Sequence, residues 1–189
     1  MGKAFTEDPI TGSVGLPPHL KPAYFHCLGS LTFVSATSED DLLLVPSKAT
    51  ALWLKEPAAK VGALSFLWNG GGHILFWLLP FRLWTFFAKL GTKMDKNRDA
   101  FAKEHGSFYY LHFIAIVPEA RGQGLFRQLM QPVLTKADAQ GKWCYLEASS
   151  QKSADAYQRM GFRQREEWRV WPEANPFYSM ERPPQTAVS

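Results

Sequence analysis

Phe108-Tyr109-Tyr110-Leu111-His112-Phe113-Ile114-Ala115-Ile116-Val117-Pro118-Glu119-Ala120-Arg121-Gly122-Gln123-Gly124-Leu125-Phe126 decides how this sequence is read. Residues 108–117 are apolar, aromatic and β-branched, the make-up of a buried strand. Pro118 closes the strand, and a turn carrying Gly122 and Gly124 follows. From Leu125 the spacing changes: Leu125, Phe126, Leu129, Met130, Val133, Leu134 and Ala137 form one helical stripe. A strand that turns tightly into a helix aims unbonded backbone N–H groups and the positive end of the helix dipole at one point. The glycines let a ligand reach the main chain with no Cβ in the way. The stretch therefore reads as a cradle for an anion, and a phosphate is its natural guest.

Which phosphate ligand is a matter of pattern. A Walker loop needs Gly-Lys followed by Ser or Thr, but Leu125 follows Gly124. A dinucleotide fingerprint needs a third glycine where Arg127 stands, although Glu147 could serve as its acidic ribose partner. A strand ending Val117-Pro118, followed by Arg121-Gly122-Gln123-Gly124, resembles the pyrophosphate loop of the GNAT superfamily of acetyl-CoA-dependent N-acetyltransferases. The likeness continues through Trp143-Cys144-Tyr145-Leu146-Glu147-Ala148-Ser149 and the Tyr157-Gln158-Arg159-Met160-Gly161-Phe162 signature. Within the family, residues 108–162 are similar to the puromycin N-acetyltransferase-like group, and Pro176 to Pro183 resembles that group's closing strand.

The resemblance implies an α/β (α+β) fold: a GNAT-type mixed, mostly antiparallel sheet flanked by helices. Ala4 to Pro9 reads as the end of a first helix, which leaves open whether the group's first strand is present. It also implies acetyl-CoA as cosubstrate. The backbone of Arg121, Gly122, Gln123, Gly124, Leu125 and Phe126 would hold the pyrophosphate. Ile114, Ile116 and Val117 match a strand that splays from its neighbour and pairs with the pantetheine arm; from the residues alone they are core. Ser153 stands where relatives usually carry Asn. Phe126 replaces a small residue, so its ring must turn toward the core or crowd the cofactor.

Three side chains are catalytic candidates. Tyr157 matches the family's general acid toward the departing thiolate, and that role is the one favoured; on periodicity alone, between Ala154 and Met160, a buried aromatic is its ordinary explanation. Glu147 sits in a hydrophobic strand, where an unpaired carboxylate is expensive. It is a base, acting directly or through water, or else a member of a structural ion pair. His112 is a second base candidate. Strand alternation puts it on one face with Tyr110 and Ile114, and a satisfied core histidine is its ordinary explanation. His73 and His105 rank below it.

The chain's 189 residues suit a single acetyltransferase domain with a proper core, residues 108–162 carrying the acetyl-CoA-binding part. The net charge of +4 is scattered, which suits an anionic cosubstrate and argues against nucleic acid as a partner. Cys27 and Cys144 lack metal-ligand spacing, so no metal is expected and a reduced cytoplasmic setting fits. Val61 to Phe81 carries no formal charge, yet Asn69-Gly70-Gly71-Gly72-His73 and Pro80 interrupt it, so a membrane span is not expected. The aromatic stretch Trp68 to Phe87, with Trp168 and Trp171, could shape an apolar acceptor pocket.

Elsewhere a helix is expected from His19 to Leu28 and a hairpin around Pro46-Ser47-Lys48. Two helices should follow, Pro80 to Leu90 ended by Gly91, and Lys93 to Lys103 ended by Gly106. The closing antiparallel pair is Arg165 to Trp171 with Asn175 to Arg182. The expected activity is acetyl transfer from acetyl-CoA to the amine of a small molecule by direct attack, in a monomer or a homodimer. A non-catalytic CoA-binding or interaction module, and a peptide or protein N-acetyltransferase, are the alternatives.

Overall fold

A computed structural model describes residues 41–57 and 81–185. The expected helix at His19 to Leu28, the question of a first strand, and the uncharged stretch up to Pro80 lie outside them.

The hairpin forms as read: β1 is Asp41–Val45 and β2 is Ala49–Glu56. Their turn closes with Lys48 N–H donating to Val45 O at 3.0 Å. The long helix α1, Phe81–His105, comes next, then β3, Phe108–Ile116, and a 3-10 turn, Pro118–Ala120. Helix α2 is Leu125–Ala139, β4 is Cys144–Ala148 and α3 is Gln151–Gln158. Strands β5, Arg163–Trp168, and β6, Phe177–Arg182, complete a sheet of six strands among the described residues, in the order β1-β2-β3-β4-β6-β5. Only β3 and β4 pair in parallel; every other neighbour is antiparallel. This is the mixed, mostly antiparallel sheet expected, with helices on both faces.

The helix expected to stop at Gly91 does not stop. Phe86, Leu90 and Met94 straddle Gly91 and pack in one cluster with Trp168 and Phe177. An exposed mid-helix glycine costs only about 1 kcal/mol, which burial of those large side chains exceeds. Thr92 adds a hydroxyl bond to Ala88 O at 2.8 Å.

Helix α2 buries the predicted stripe, from Leu125 and Leu129 through Met130, Val133, Leu134 and Ala137. It runs through Pro132, which stands on the solvent side, where water can serve the carbonyl that proline leaves without a donor. Helix α3 starts before Ser153: Ser150 is its N-cap, and its Oγ accepts from Ser153 N–H at 3.2 Å. Gly161, at φ 88°, reverses the chain after α3, and Phe162 N–H bonds to Tyr157 O at 3.2 Å.

The two faces hold separate cores. Under α2 and α3 lie Tyr109, Leu111, Leu129, Leu134, Leu146, Ala148 and Met180. Under α1 lie Phe101, Phe108, Tyr110 and Tyr145.

Candidate active site

The parallel pair ends early. Its ladder runs from Tyr109 opposite Cys144 to Leu111 opposite Leu146. Beyond that, β3 continues to Ile116 on β2 alone, and β4 continues through Glu147 and Ala148 on β6 alone. A gap thus opens toward the C-terminal ends of both strands. The 3-10 turn and α2 follow one of those ends, and α3 follows the other. Two helix N-termini therefore stand at the mouth of the gap, which is where parallel strands usually receive ligands.

A β-bulge accompanies the divergence. Leu52 pairs with Phe113 while Trp53 pairs with Leu111, so His112 is the extra residue. The bulge corrects one expectation, that His112 shares a face with both Tyr110 and Ile114. Past the bulge the alternation inverts, and Ile114 and Ile116 pack against the α2 and α3 core together with Val117. His112 is exposed, its ring 5.8 Å from that of Tyr110.

Glu147 lies on the α1 face of the gap. Tyr110 donates its hydroxyl to Glu147 Oε2 at 2.7 Å, and Tyr145 donates to Oε1 at 3.3 Å. The carboxylate is hemmed in by protein yet keeps some accessible surface. Burial raises its pKa to about 7, against the Tyr110 bond, the nearby Arg98 charge and the Tyr145 bond, all of which favour the ionised form; Asp95 adds to the rise. A carboxylate so poised, held by two donors and still reachable, can accept a proton near neutral pH.

Tyr157 belongs to the opposite face. Its ring is 7% exposed and lies in the α2 and α3 core, 5.5 Å from the ring of Phe126 and 6.0 Å from that of Phe162. Phe126 is half-buried against the same core, so its ring turns inward as its place on the stripe suggested.

The turn itself is exposed from Arg121 to Gly124. Gly122 and Gly124 hold φ values of 79° and 76°, and a Cβ at either would meet nothing within 4 Å, so main chain and surroundings are open to a ligand. Gly124 is the N-cap of α2 and offers no side-chain cap, which leaves the N–H groups of Leu125 and Phe126 without an intrahelical acceptor. The N–H of Arg121 is different: it donates to Pro118 O at 3.2 Å inside the turn. The Gln123 side chain folds back onto Glu119 O at 3.1 Å, so Gln123 would contribute through its backbone. Ser153 Oγ lies 2.9 Å from Ser150 Oγ at the start of α3.

Sequence reasoning missed the group around Glu147. Arg98 of α1 lies over the Tyr110 ring, 4.9 Å from its centre, and bonds Glu56 at 2.7 Å and also Asp95. The one available signal was that Tyr145 and Glu147, two apart on a strand, must share a face. Cys144 is no rival nucleophile, since burial pushes its thiol up to about 12. Among the described residues there is no grouping able to hold a metal ion, and no helix long and apolar enough to cross a membrane.

Comparison with known proteins bears on the domain and the fold. Residues 99–180 match the model of the acetyltransferase (GNAT) domain. No curated protein matches the sequence. Among solved structures, a protein from Corynebacterium glutamicum described as histone acetyltransferase HPA2 and related acetyltransferase superposes with a TM-score of 0.58 at 19% identity, over 99% of this chain and 88% of its own. The polyamine N-acetyltransferase of Drosophila melanogaster, which forms N-acetylagmatine, gives 0.57 at 16% identity over 95% and 88%. Arylalkylamine N-acetyltransferase 2 of Aedes aegypti gives 0.55 at 14% over 96% and 89%. At these identities the likeness is one of fold.

Proposed function

We propose, from the premise that residues 99–180 carry an acetyltransferase (GNAT) domain, that this protein transfers the acetyl group of acetyl-CoA to the amine of a small molecule. The observation that carries the reading is the gap between β3 and β4, with a carboxylate poised near neutrality on one face and a tyrosine on the other. Acetyl-CoA would approach from the α2 and α3 side, its pyrophosphate on the N–H groups from Gly122 to Phe126. Its pantetheine arm would lie along Ile114, Ile116 and Val117, within reach of the Ser150 and Ser153 hydroxyls. The amine would approach from the α1 side.

In that arrangement Glu147 takes the proton of the amine, whose nitrogen attacks the thioester carbonyl carbon. Holding both reactants in one gap removes much of the entropic barrier. The C–S bond breaks, and the departing sulfur gains a proton from the Tyr157 hydroxyl. With its ring held between Phe126 and Phe162, Tyr157 has little freedom to leave this position. His112, exposed beside Tyr110, is the alternative base. The segment Phe108 to Phe162, with Pro176 to Pro183, is the ground for placing the chain near the puromycin N-acetyltransferase-like group. Small amines are favoured as acceptors because relatives of this fold named above act on agmatine and arylalkylamines.

The test is thiol release from acetyl-CoA against a panel of small amines and short peptides, with product masses recorded. Acetylated small amines support the reading. Turnover of peptides alone moves the acceptor class, and saturable CoA binding without turnover of any amine replaces the enzyme by a binding module.

A further inference from the structure

The side chains beneath α1 form a chain of donors that converges on Glu147. Trp168 Nε1–H donates to Ser179 Oγ at 3.0 Å, and Asn97 donates to the same oxygen at 3.3 Å. With two donors on its oxygen, Ser179 turns its own proton toward the Tyr145 hydroxyl, whose proton goes to Glu147 Oε1. On the other side Tyr110 donates to Oε2 and carries the Arg98 guanidinium over its ring. Arg98 acts on Glu147 through its charge and makes no hydrogen bond to it. Instead, Glu56 takes one of its terminal nitrogens and Asp95 the other.

We propose that Tyr110 is a positioning residue for Glu147, and that Asp95 and Glu56 keep Arg98 on the Tyr110 ring and off the carboxylate, so that Glu147 stays a usable base. This deepens the acetyltransferase reading and rests on it for the word base. A direct guanidinium bond would hold the carboxylate ionised but make it a poor proton acceptor. A tyrosine hydroxyl orients the group with much weaker stabilisation of its charge. The groups that act on Glu147 are the Tyr110 and Tyr145 hydroxyls and the charges of Arg98 and Asp95. Around them, Glu56 pairs with Arg98, Glu166 acts on Tyr145 and pairs with Lys93, and the His112 ring lies beside Tyr110. Among them, Arg98 is the cation that Glu147 feels most directly.

The sign of each change follows. Removing the Tyr110 hydroxyl removes a donor to the ionised carboxylate, so its titration moves to higher pH. Removing the Asp95 charge removes a repulsive neighbour and releases Arg98 toward Glu147, so titration moves to lower pH. A purely structural role for these residues would not move the same carboxyl in opposite directions.

The experiment is a side-chain 13C NMR titration of glutamate in the full chain, with the Glu147 signal assigned by E147Q, for wild type, Y110F and D95N. Kinetic pH profiles with acetyl-CoA and an accepted amine accompany it. Asp95 is only half-buried, with much of its side chain open to solvent, so D95N keeps the test decisive if Y110F folds poorly. The expected result is a higher midpoint in Y110F, a lower one in D95N, and an acid limb of kcat/KM that follows each, with KM for acetyl-CoA unchanged. Midpoints that stay put or move together overturn the proposal. Midpoints that move as expected while the acid limb does not follow leave the positioning in place and remove Glu147 as the base.

Discussion

The two faces of the sheet are made of different material. Under α2 and α3 the core is almost wholly aliphatic and aromatic, and Tyr157 is packed into it. Under α1, two of the buried rings, Tyr110 and Tyr145, carry hydroxyls, and both hydroxyls end on a carboxylate. The α2 and α3 face is thus built chiefly for packing, whereas the α1 face ends on a titratable carboxylate. The gap between β3 and β4 is where the two faces meet. In the proposed reaction, acid and base need not compete for one environment, because the sheet separates Tyr157 from Glu147.

The sharpest way to break this comparison is to remove the polar face's carboxylate. E147Q should lower kcat by about 10³-fold and abolish the acid limb of the pH profile, while CoA affinity by calorimetry holds. A retained acid limb would give the base role to His112 or to water. On the other face, Y157F should lower kcat by about 10²-fold with CoA affinity again intact, and it should keep the acid limb that E147Q loses. Unchanged turnover in Y157F would make that tyrosine a packing residue only.

A smaller effect is expected at the mouth. Gly124→Val places a β-branched residue at φ 76°, a conformation costing roughly 1–2 kcal/mol, and crowds the approach to the N–H groups of α2. KM for acetyl-CoA should rise about tenfold with little change in kcat. The smallest expected effect is on stability. Because the folded pKa of Glu147 is raised to about 7 from the usual carboxylate range, its ionisation costs the folded state, with the cost complete above pH 7 and absent below pH 4. E147Q should therefore raise the Tm more at pH 8 than at pH 5, a trade of stability against function read by calorimetry at the two pH values.

How much of this was legible in the sequence depends on the range of each interaction. The strand, turn and second helix around Gly122 and Gly124 were readable because period, proline and glycine are local signals. So were the hairpin at Ser47 and the stripe on α2. Gly91 misled because the packing of Phe86 and Leu90 against Trp168 and Phe177 is a distant event that no local rule reports. The bulge at His112 was equally invisible, since an extra residue exists only relative to the partner strand, and it inverted the face assigned to Ile114. Of the site, Glu147 stood out as an acid in an apolar strand. The partners that set its behaviour, Arg98 on α1 and Tyr110 on β3, come from elements brought together only by the fold.

The order of the strands carries one more consequence, for biosynthesis. Strand β6 comes last in the described sequence but occupies an inner slot, between β4 and β5. Its final residue, Arg182, is 3% exposed and grips Asp138 at the end of α2 through bonds of 2.7 and 2.8 Å. Until residue 182 has emerged from the ribosome, β4 must wait with one edge bare, and that edge runs directly beside Glu147. A nascent chain stalled before the closing hairpin would therefore present an open sheet edge to chaperones, with Glu147 on the strand left half-paired.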